Sequence, residues 1–413
     1  MALRACTIAR RGFSSAQPSI ADLVARIEML EGEIAGLRPK MAMTKLGKTN
    51  LNVSRVSLGC APLGGVYGGM DLKKAQSLVD YCFASGINFF DTSPYYGDTK
   101  SESVLGHCLH AADVPRDEYV IATKVGRYGD FVDFSPERVT ASVEESLSRL
   151  QTDYIDVIQC HDIEFAASME MVINETLPAL AELKRKGKVR HIGITGLPLS
   201  VMDFVLDRVD EVKDVEIDTV LTYCCGTLNN NQLPKYLPRW KHRHLGIIQG
   251  GAASMGLLTP QGPQDWHPAP RQIRDACRDF VRHVEGSGHS VMKLAFQYTY
   301  AEKNVHSLLI GPTEVEHLRG SLEWAKEPLN ESDRLFLDEA SLILAPIKNK
   351  VWVEEGSEEN IALASAGFWA EQRDVTQRIE AKNTSYALPK WESGHRAAGD
   401  LSFEDLVVLD RKS

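Results

Sequence analysis

Eight short β-branched or apolar runs, each parted from the next by a longer stretch, constrain this chain most. They are Val53–Leu58, Ile87–Phe90, Tyr119–Thr123, Tyr154–Gln159, Val189–Ile194, Thr219–Thr222, Leu245–Ile248 and Ser307–Ile310. The intervening segments include helix-like stretches at Leu72–Ala84, Pro136–Leu150, Thr176–Lys186 and Pro270–His283, with Gly86 and Gly187 where helix ends favour glycine. Strand and helix in alternation imply parallel pairing, because a parallel neighbour is reached only through a long crossover. Eight such units predict a closed (β/α)8 TIM barrel, a fold of about 250 residues or more. The competing fold is an open doubly wound sheet. No G-x-G-x-x-G follows the first strand, and the spacing of Gly64-Gly65 and Gly68-Gly69 is wrong for one.

The barrel accounts for residues 44–350 of 413, and both ends differ from it. Residues 1–18 carry Arg4, Arg10, Arg11, Ser14 and Ser15, with no acid before Asp22. That composition predicts a mitochondrial matrix transit segment, with a disordered basic tail as the alternative. Residues 19–43 form a second segment. There Ile20, Leu23, Ile27, Leu30, Ile34 and Leu37 make an a/d seam, with Ser19 as cap and Pro39 at the end. Its apolar stripe needs a cover, either a second copy or complex partner, or the chain's own body. Residues 351–413 are an extension of unassigned role, opening on Glu354, Glu355, Glu358 and Glu359.

Charge narrows the partners. With 46 Lys+Arg against 56 Asp+Glu, the formal net charge is −10, which disfavours nucleic acid and anionic lipid. The basic cluster Lys184, Arg185, Lys186, Lys188 and Arg190 ends a helix, where cations suit the dipole. No uncharged apolar run reaches the roughly 18 residues of a membrane helix. The eight cysteines include no C-x-x-C, which reads as a reducing compartment without a zinc site.

A barrel carries its functional side chains just past the C-terminal ends of its strands. Asp91 ends the second strand, Lys124 the third and His161 the fourth, with Tyr95 and Tyr96 in the loop after Asp91. Each alone has a structural reading, but polar residues on three consecutive strand ends point to a site.

The motifs D-T-S-P-Y-Y-G, S-E-S-V-L-G, A-T-K-V-G, Q-C-H-D and I-G-I-T-G resemble the aldo-keto reductase superfamily, from about Leu46 to Pro346. The stretches NFFDTSPYYG, CHDIEF, GKVRHIGITGLPL, GLLTPQGPQDWHPA and APIKN resemble its L-galactose dehydrogenase branch, which is typically cytoplasmic. The resemblance implies an NAD(P)-dependent oxidoreductase with a tetrad of Asp91, Tyr96, Lys124 and His161. Tyr96 is then the acid/base, Lys124 lowers its phenol, Asp91 holds the lysine, and His161 orients the reacting oxygen. An aldose oxidised at C1 becomes a lactone. A reductase of small aldehydes using NADPH and an enzyme-derived assembly subunit of an organelle complex are the alternatives.

Cofactor contacts follow from the same resemblance. Thr195 and Gly196 stand where the family has Ser-Asn on the nicotinamide carboxamide, which Gln159 also reaches. Gly250 replaces an aromatic platform, with Tyr223 as a substitute or a core tyrosine. Gly311 and the helix after it are expected to meet the pyrophosphate. Thr313 and Glu314 fill the places of basic residues in NADP users, which favours NAD. Arg319 leaves NADP open, and Ser321 replaces an adenine-contacting Asn. Tyr95, Trp266 and His267 are the candidate sugar contacts, a loop-packing role for Trp266 being the alternative.

Overall fold

A computed structural model of the protein describes residues 40–129, 131–350 and 352. The transit segment at 1–18, the seam at 20–37 and the extension at 351–413, Trp352 apart, lie outside the described residues.

Eight parallel strands close into a barrel in the order β10-β3-β4-β5-β6-β7-β8-β9. They are β3 (Val56–Gly59), β4 (Phe89–Asp91), β5 (Val120–Val125), β6 (Ile155–Cys160), β7 (Val189–Gly196), β8 (Thr219–Tyr223), β9 (Gly246–Gly250) and β10 (Ser307–Ile310). Phe89, Val120, Ala122, Val157, Leu221, Ile248 and Leu309 fill the interior, so the barrel is a packed core rather than a pore. The other faces of the strands pack on the helices, as Ile158, Ile192, Ile194 and Val220 do.

The predicted first strand is two elements. Met43–Lys45 (β1) and Asn52–Ser54 (β2) form an antiparallel hairpin, and β3 begins only at Val56. Arg55 makes the break. Its N–H donates to the Ala42 carbonyl at 2.8 Å, and its guanidinium donates to the Tyr300 carbonyl at 3.0 Å. Leu46 and Val53 from the hairpin join the interior cluster, and Leu46 lies against Gly246, the first residue of β9. The hairpin therefore stoppers the N-terminal end of the barrel and leaves the other end open for chemistry.

The outer layer contains α1 (Leu72–Ala84), α2 (Lys100–Ala111), α3 (Pro136–Leu150), α4 (Leu177–Arg185), α5 (Leu199–Arg208), α6 (Leu233–His242), α7 (Arg271–Gly286), α8 (Val291–Tyr300), α9 (Val315–Trp324) and α10 (Glu331–Ile343). Their starts follow capping chemistry. Asp71 accepts from the Lys74 N–H, Ser135 from that of Arg138 with Pro136 behind it, and Asn330 from that of Asp333. Between β9 and β10 the chain carries α7 as well as α8, preceded by the loop that holds Trp266 and His267. The basic cluster at the end of α4 is spent on ion pairs, among them Lys184–Asp218 at 2.7 Å, Lys188–Glu144 at 3.0 Å and Arg190–Asp156 at 3.1 Å. No helix among the described residues is long and apolar enough to cross a membrane.

Candidate active site

The C-terminal ends of β4, β5 and β6 bring Asp91, Lys124 and His161 side by side, and Tyr96 joins them from the loop after β4. Two glycines fix that loop. A Cβ on Gly97 (φ +62°) would lie 2.1 Å from the Gly64 carbonyl oxygen, and one on Gly64 would lie 2.6 Å from that of Tyr96. Only bare backbones pass this closely. A side chain at either position would displace the Tyr96 phenol.

Lys124 is the hub. Its Nζ donates to Asp91 Oδ1 at 2.5 Å, to the Thr92 carbonyl at 2.8 Å and to Tyr96 Oη at 3.2 Å. All three ammonium hydrogens thus have acceptors. Gln159, opposite Lys124 in the β5–β6 register, donates to the second oxygen of Asp91 at 2.9 Å. With Lys124 1% and Asp91 2% exposed, water screens this pair little. Burial opposes the ammonium, but Asp91 and Tyr96 outweigh it and hold Lys124 above its ordinary range.

Lys124 acts on the phenol in the expected direction, but burial works against it. Tyr96 lies above, not below, the ordinary tyrosine range: burial raises it, Lys124 pulls it down, and Asp91 and Asp162 push it up again. Lys124 is shared with a carboxylate, so too little of its field reaches the phenol to overcome desolvation. Tyr96 rests as a neutral proton donor.

His161 sits edge-on to both tyrosine rings, with centroids 5.7 Å away in each case. Its Nδ1 lies 3.0 Å from Ser93 Oγ. Burial, with Lys124 and Arg127 nearby, lowers its pKa to about 3 despite Asp162, so it is neutral at physiological pH. Asp162 pairs with Arg127, which also donates to Tyr95 Oη at 3.0 Å and lies over the Tyr95 ring, 4.0 Å from its centroid. Ser93, Arg127 and Asp162 are site residues that sequence reasoning missed. All three lie in or beside the motifs that carry the tetrad; for Arg127 and Asp162 a charge just past a strand end was the available signal, and Ser93 offered none.

Three of the expected cofactor contacts have other duties. Thr195 Oγ1 accepts from the Asp162 N–H at 2.9 Å and sits 3.3 Å from Asp162 Oδ1, so its proton is committed. The side-chain space at Gly196 is filled by Glu164, whose Oε2 lies 2.6 Å from where a Cβ would be. Ser321 Oγ donates back to the His317 carbonyl at 2.9 Å. Glu164 itself is wholly buried, and its Oε1 accepts from the Leu197 N–H at 2.9 Å. Burial and then Asp162 raise its pKa from 4.5 to about 8. An acid raised by folding contributes stability that is complete below its unfolded value and is lost as pH climbs from about 4.5 to about 8. Glu164→Gln keeps the acceptor and has no proton to lose. Its thermal midpoint relative to the wild type should therefore rise steadily from about pH 5 to about pH 8. A pH-independent difference in thermal melts would contradict this.

The remaining residues fit a dinucleotide. Gln159 Oε1 is buried and has no hydrogen-bond partner among the described residues, as a carboxamide donor requires. Tyr223, half-buried at the end of β8, stands beside Gly250, where a Cβ would have room at 3.8 Å. Gly311 follows β10 at close range to Pro62, and Glu314, the residue before α9, does not cap the helix with its side chain, which suits the first N–H groups to an anion. Thr313 bonds His317 at 3.2 Å, and Arg319 lies 3.5 Å from Glu316 and over Tyr81. Glu314 does not stand alone: Lys74 of α1 is 3.7 Å from its carboxylate, which weakens the electrostatic case against a 2′-phosphate.

Trp266 is half-buried and packs on Tyr67, with ring centroids 5.8 Å apart. His267 is a structural residue rather than a sugar contact. Its Nδ1 accepts from the Ala269 N–H at 3.0 Å, its Nε2 is 3.2 Å from the Ser254 carbonyl, and Trp352 covers the ring.

Residues 55–341 match the aldo/keto reductase family. The chain is 45% identical over 314 residues to L-galactose dehydrogenase of Arabidopsis thaliana, covering 76% of this chain and 97% of that one. It is 30% identical over 292 residues to D-arabinose 1-dehydrogenase of Saccharomyces cerevisiae, covering 69% and 86%. Among solved structures, a holo-form aldo-keto reductase from Bacillus halodurans superposes with a TM-score of 0.60 at 25% identity, covering 73% and 96%. The chain belongs to the aldo/keto reductase family. It is an NAD(P)-dependent oxidoreductase acting on CH–OH groups.

Proposed function

We propose that the protein oxidises C1 of L-galactose, or of a closely related aldose, to the lactone, with NAD as its cofactor. The reading is carried by the 45% identity to L-galactose dehydrogenase across 97% of that enzyme's length. The second relative, an aldose 1-dehydrogenase by name, supports the same substrate class.

NAD, held by Gln159 and the N-terminus of α9, would supply the hydride acceptor. The chain's own residues place the sugar and move its proton. His161 hydrogen-bonds the C1 oxygen, and Tyr96 takes the proton of its hydroxyl. Lys124 stabilises the phenolate that must exist at that moment, and Asp91 keeps Lys124 charged and in place. Tyr67 and Trp266 offer aromatic faces beside the mouth.

The protonation of Tyr96 sets a pH dependence. Oxidation needs the phenolate, and burial holds the phenol above its ordinary value. Oxidation should therefore climb through the alkaline range without a plateau below about pH 10, whereas the reverse reduction should stay level there. An oxidation profile already flat by about pH 8 would show a phenol far more acidic than this site allows.

The experiment that tests the substrate is a panel of aldoses offered with NAD and with NADP to the purified full-length protein, read by absorbance of the reduced nicotinamide. L-Galactose with NAD should give the highest kcat/KM. Turnover confined to aldehydes with NADPH would replace this reading by the reductase one, which Lys74 beside Glu314 favours.

A further inference from the structure

We propose that Ser93 is a positioning residue that locks His161 in the tautomer protonated at Nε2. The imidazole then only donates to the reacting oxygen, and the substrate's proton passes to Tyr96 alone. This rests on the aldose-oxidation reading given above and adds a residue to it.

Hydrogen-bond bookkeeping carries the argument. A serine hydroxyl has one hydrogen and two lone pairs. Ser93 is wholly buried, and one lone pair accepts from the Tyr95 N–H at 3.1 Å. Its other neighbour is His161 Nδ1 at 3.0 Å. Suppose Nδ1 carried the ring proton. It would donate to Ser93, which would then accept twice, and the serine hydrogen would be buried without an acceptor among the described residues. Suppose instead that Nδ1 is bare. Ser93 then donates to it, and both Ser93 Oγ and His161 Nδ1 are satisfied, while Nε2 faces the reacting oxygen in either case. The second arrangement is favoured by about tenfold or more.

The far side of the ring agrees. His161 Nε2 lies 3.7 Å from Asp162 Oδ2, too far for a hydrogen bond but close enough for the carboxylate to favour an N–H there. Asp162 is itself fixed by Arg127 and Thr195, so its field is a permanent feature of the site.

The consequence is a division of labour. A neutral imidazole protonated at Nδ1 would present a bare Nε2, a weak base competing with Tyr96 for the substrate hydroxyl. Protonated at Nε2, it has no lone pair to offer. The O–H bond of the substrate then breaks toward the Tyr96 oxygen, and His161 stabilises the alkoxide character left behind.

The test reads the tautomer directly. Full-length protein with 15N-labelled histidine rings is examined without cofactor by long-range 1H–15N spectra. His161 should show an unprotonated Nδ1 and a protonated Nε2. In Ser93→Ala the two tautomers should mix, kcat for L-galactose should fall about tenfold, and KM and NAD affinity should change less than about threefold. Ser93→Thr, which restores the hydroxyl, should recover both the spectrum and kcat. A wild-type ring protonated at Nδ1, or an unchanged His161 spectrum in Ser93→Ala, overturns the proposal. Should Ser93→Ala fail to fold, the wild-type spectrum decides alone. Absent aldose turnover alongside the expected spectrum would sink the substrate reading and leave the tautomer lock standing.

Discussion

Tyr96→Phe is expected to lower kcat by about 10²–10⁴-fold, with NAD affinity unchanged. The substitution removes one oxygen and keeps the ring. Lys124 still has Asp91 and the Thr92 carbonyl as acceptors, so the ammonium stays satisfied. The fold should lose about 1 kcal/mol for one hydrogen bond. The phenyl ring still packs edge-on to His161 and leaves the sugar's resting place intact, so substrate KM should move little. Cofactor binding followed by fluorescence, beside steady-state turnover, separates the effects. Turnover within a few-fold of wild type would reassign the acid/base, Tyr95 being the neighbouring phenol.

Asp91→Ala should have the largest effect on stability. It leaves the Lys124 ammonium buried with only a carbonyl and a phenol, and it leaves Gln159 Nε2 without its acceptor. Removing one partner of such a pair typically costs about 3–5 kcal/mol, because the desolvation of the other is no longer offset. Lys124 would regain stability by losing its proton, which also removes the charge that supports the phenolate. Activity should therefore collapse together with stability. The double variant Asp91→Ala/Lys124→Met should be more stable than Asp91→Ala alone, since the orphaned charge is gone. Denaturant midpoints of the four proteins in that cycle measure the coupling. A single variant costing under about 1 kcal/mol would mean that water reaches the pair.

What the sequence made legible follows from locality. Seven of the eight barrel strands lie within about two residues of their β-branched runs, because each is buried on both faces and reads as an apolar stretch. The strand-end rule then picks out Asp91, Lys124 and His161 without knowledge of any contact. The failures are tertiary. Val53–Leu58 is continuous as a pattern, but Arg55 turns outward to Tyr300, 245 positions away, and divides it. His267 looks free until its ring nitrogens find the backbone of Ala269 and Ser254. Thr195 keeps the expected hydroxyl but gives it to Asp162, and Gly196 is small because Glu164 occupies its space. For Tyr96 the pull of a neighbouring lysine is visible in a motif, while the burial that opposes it is not.

The central claim is that these groups converge on one oxygen so that C1 of an aldose can give up its hydride. The most direct measurement uses L-galactose deuterated at C1, with NAD and the full-length protein, followed by mass spectrometry of both products. The account predicts one deuterium in the reduced nicotinamide and a sugar lactone that has lost it. Reduced nicotinamide without deuterium, or no lactone, would contradict it.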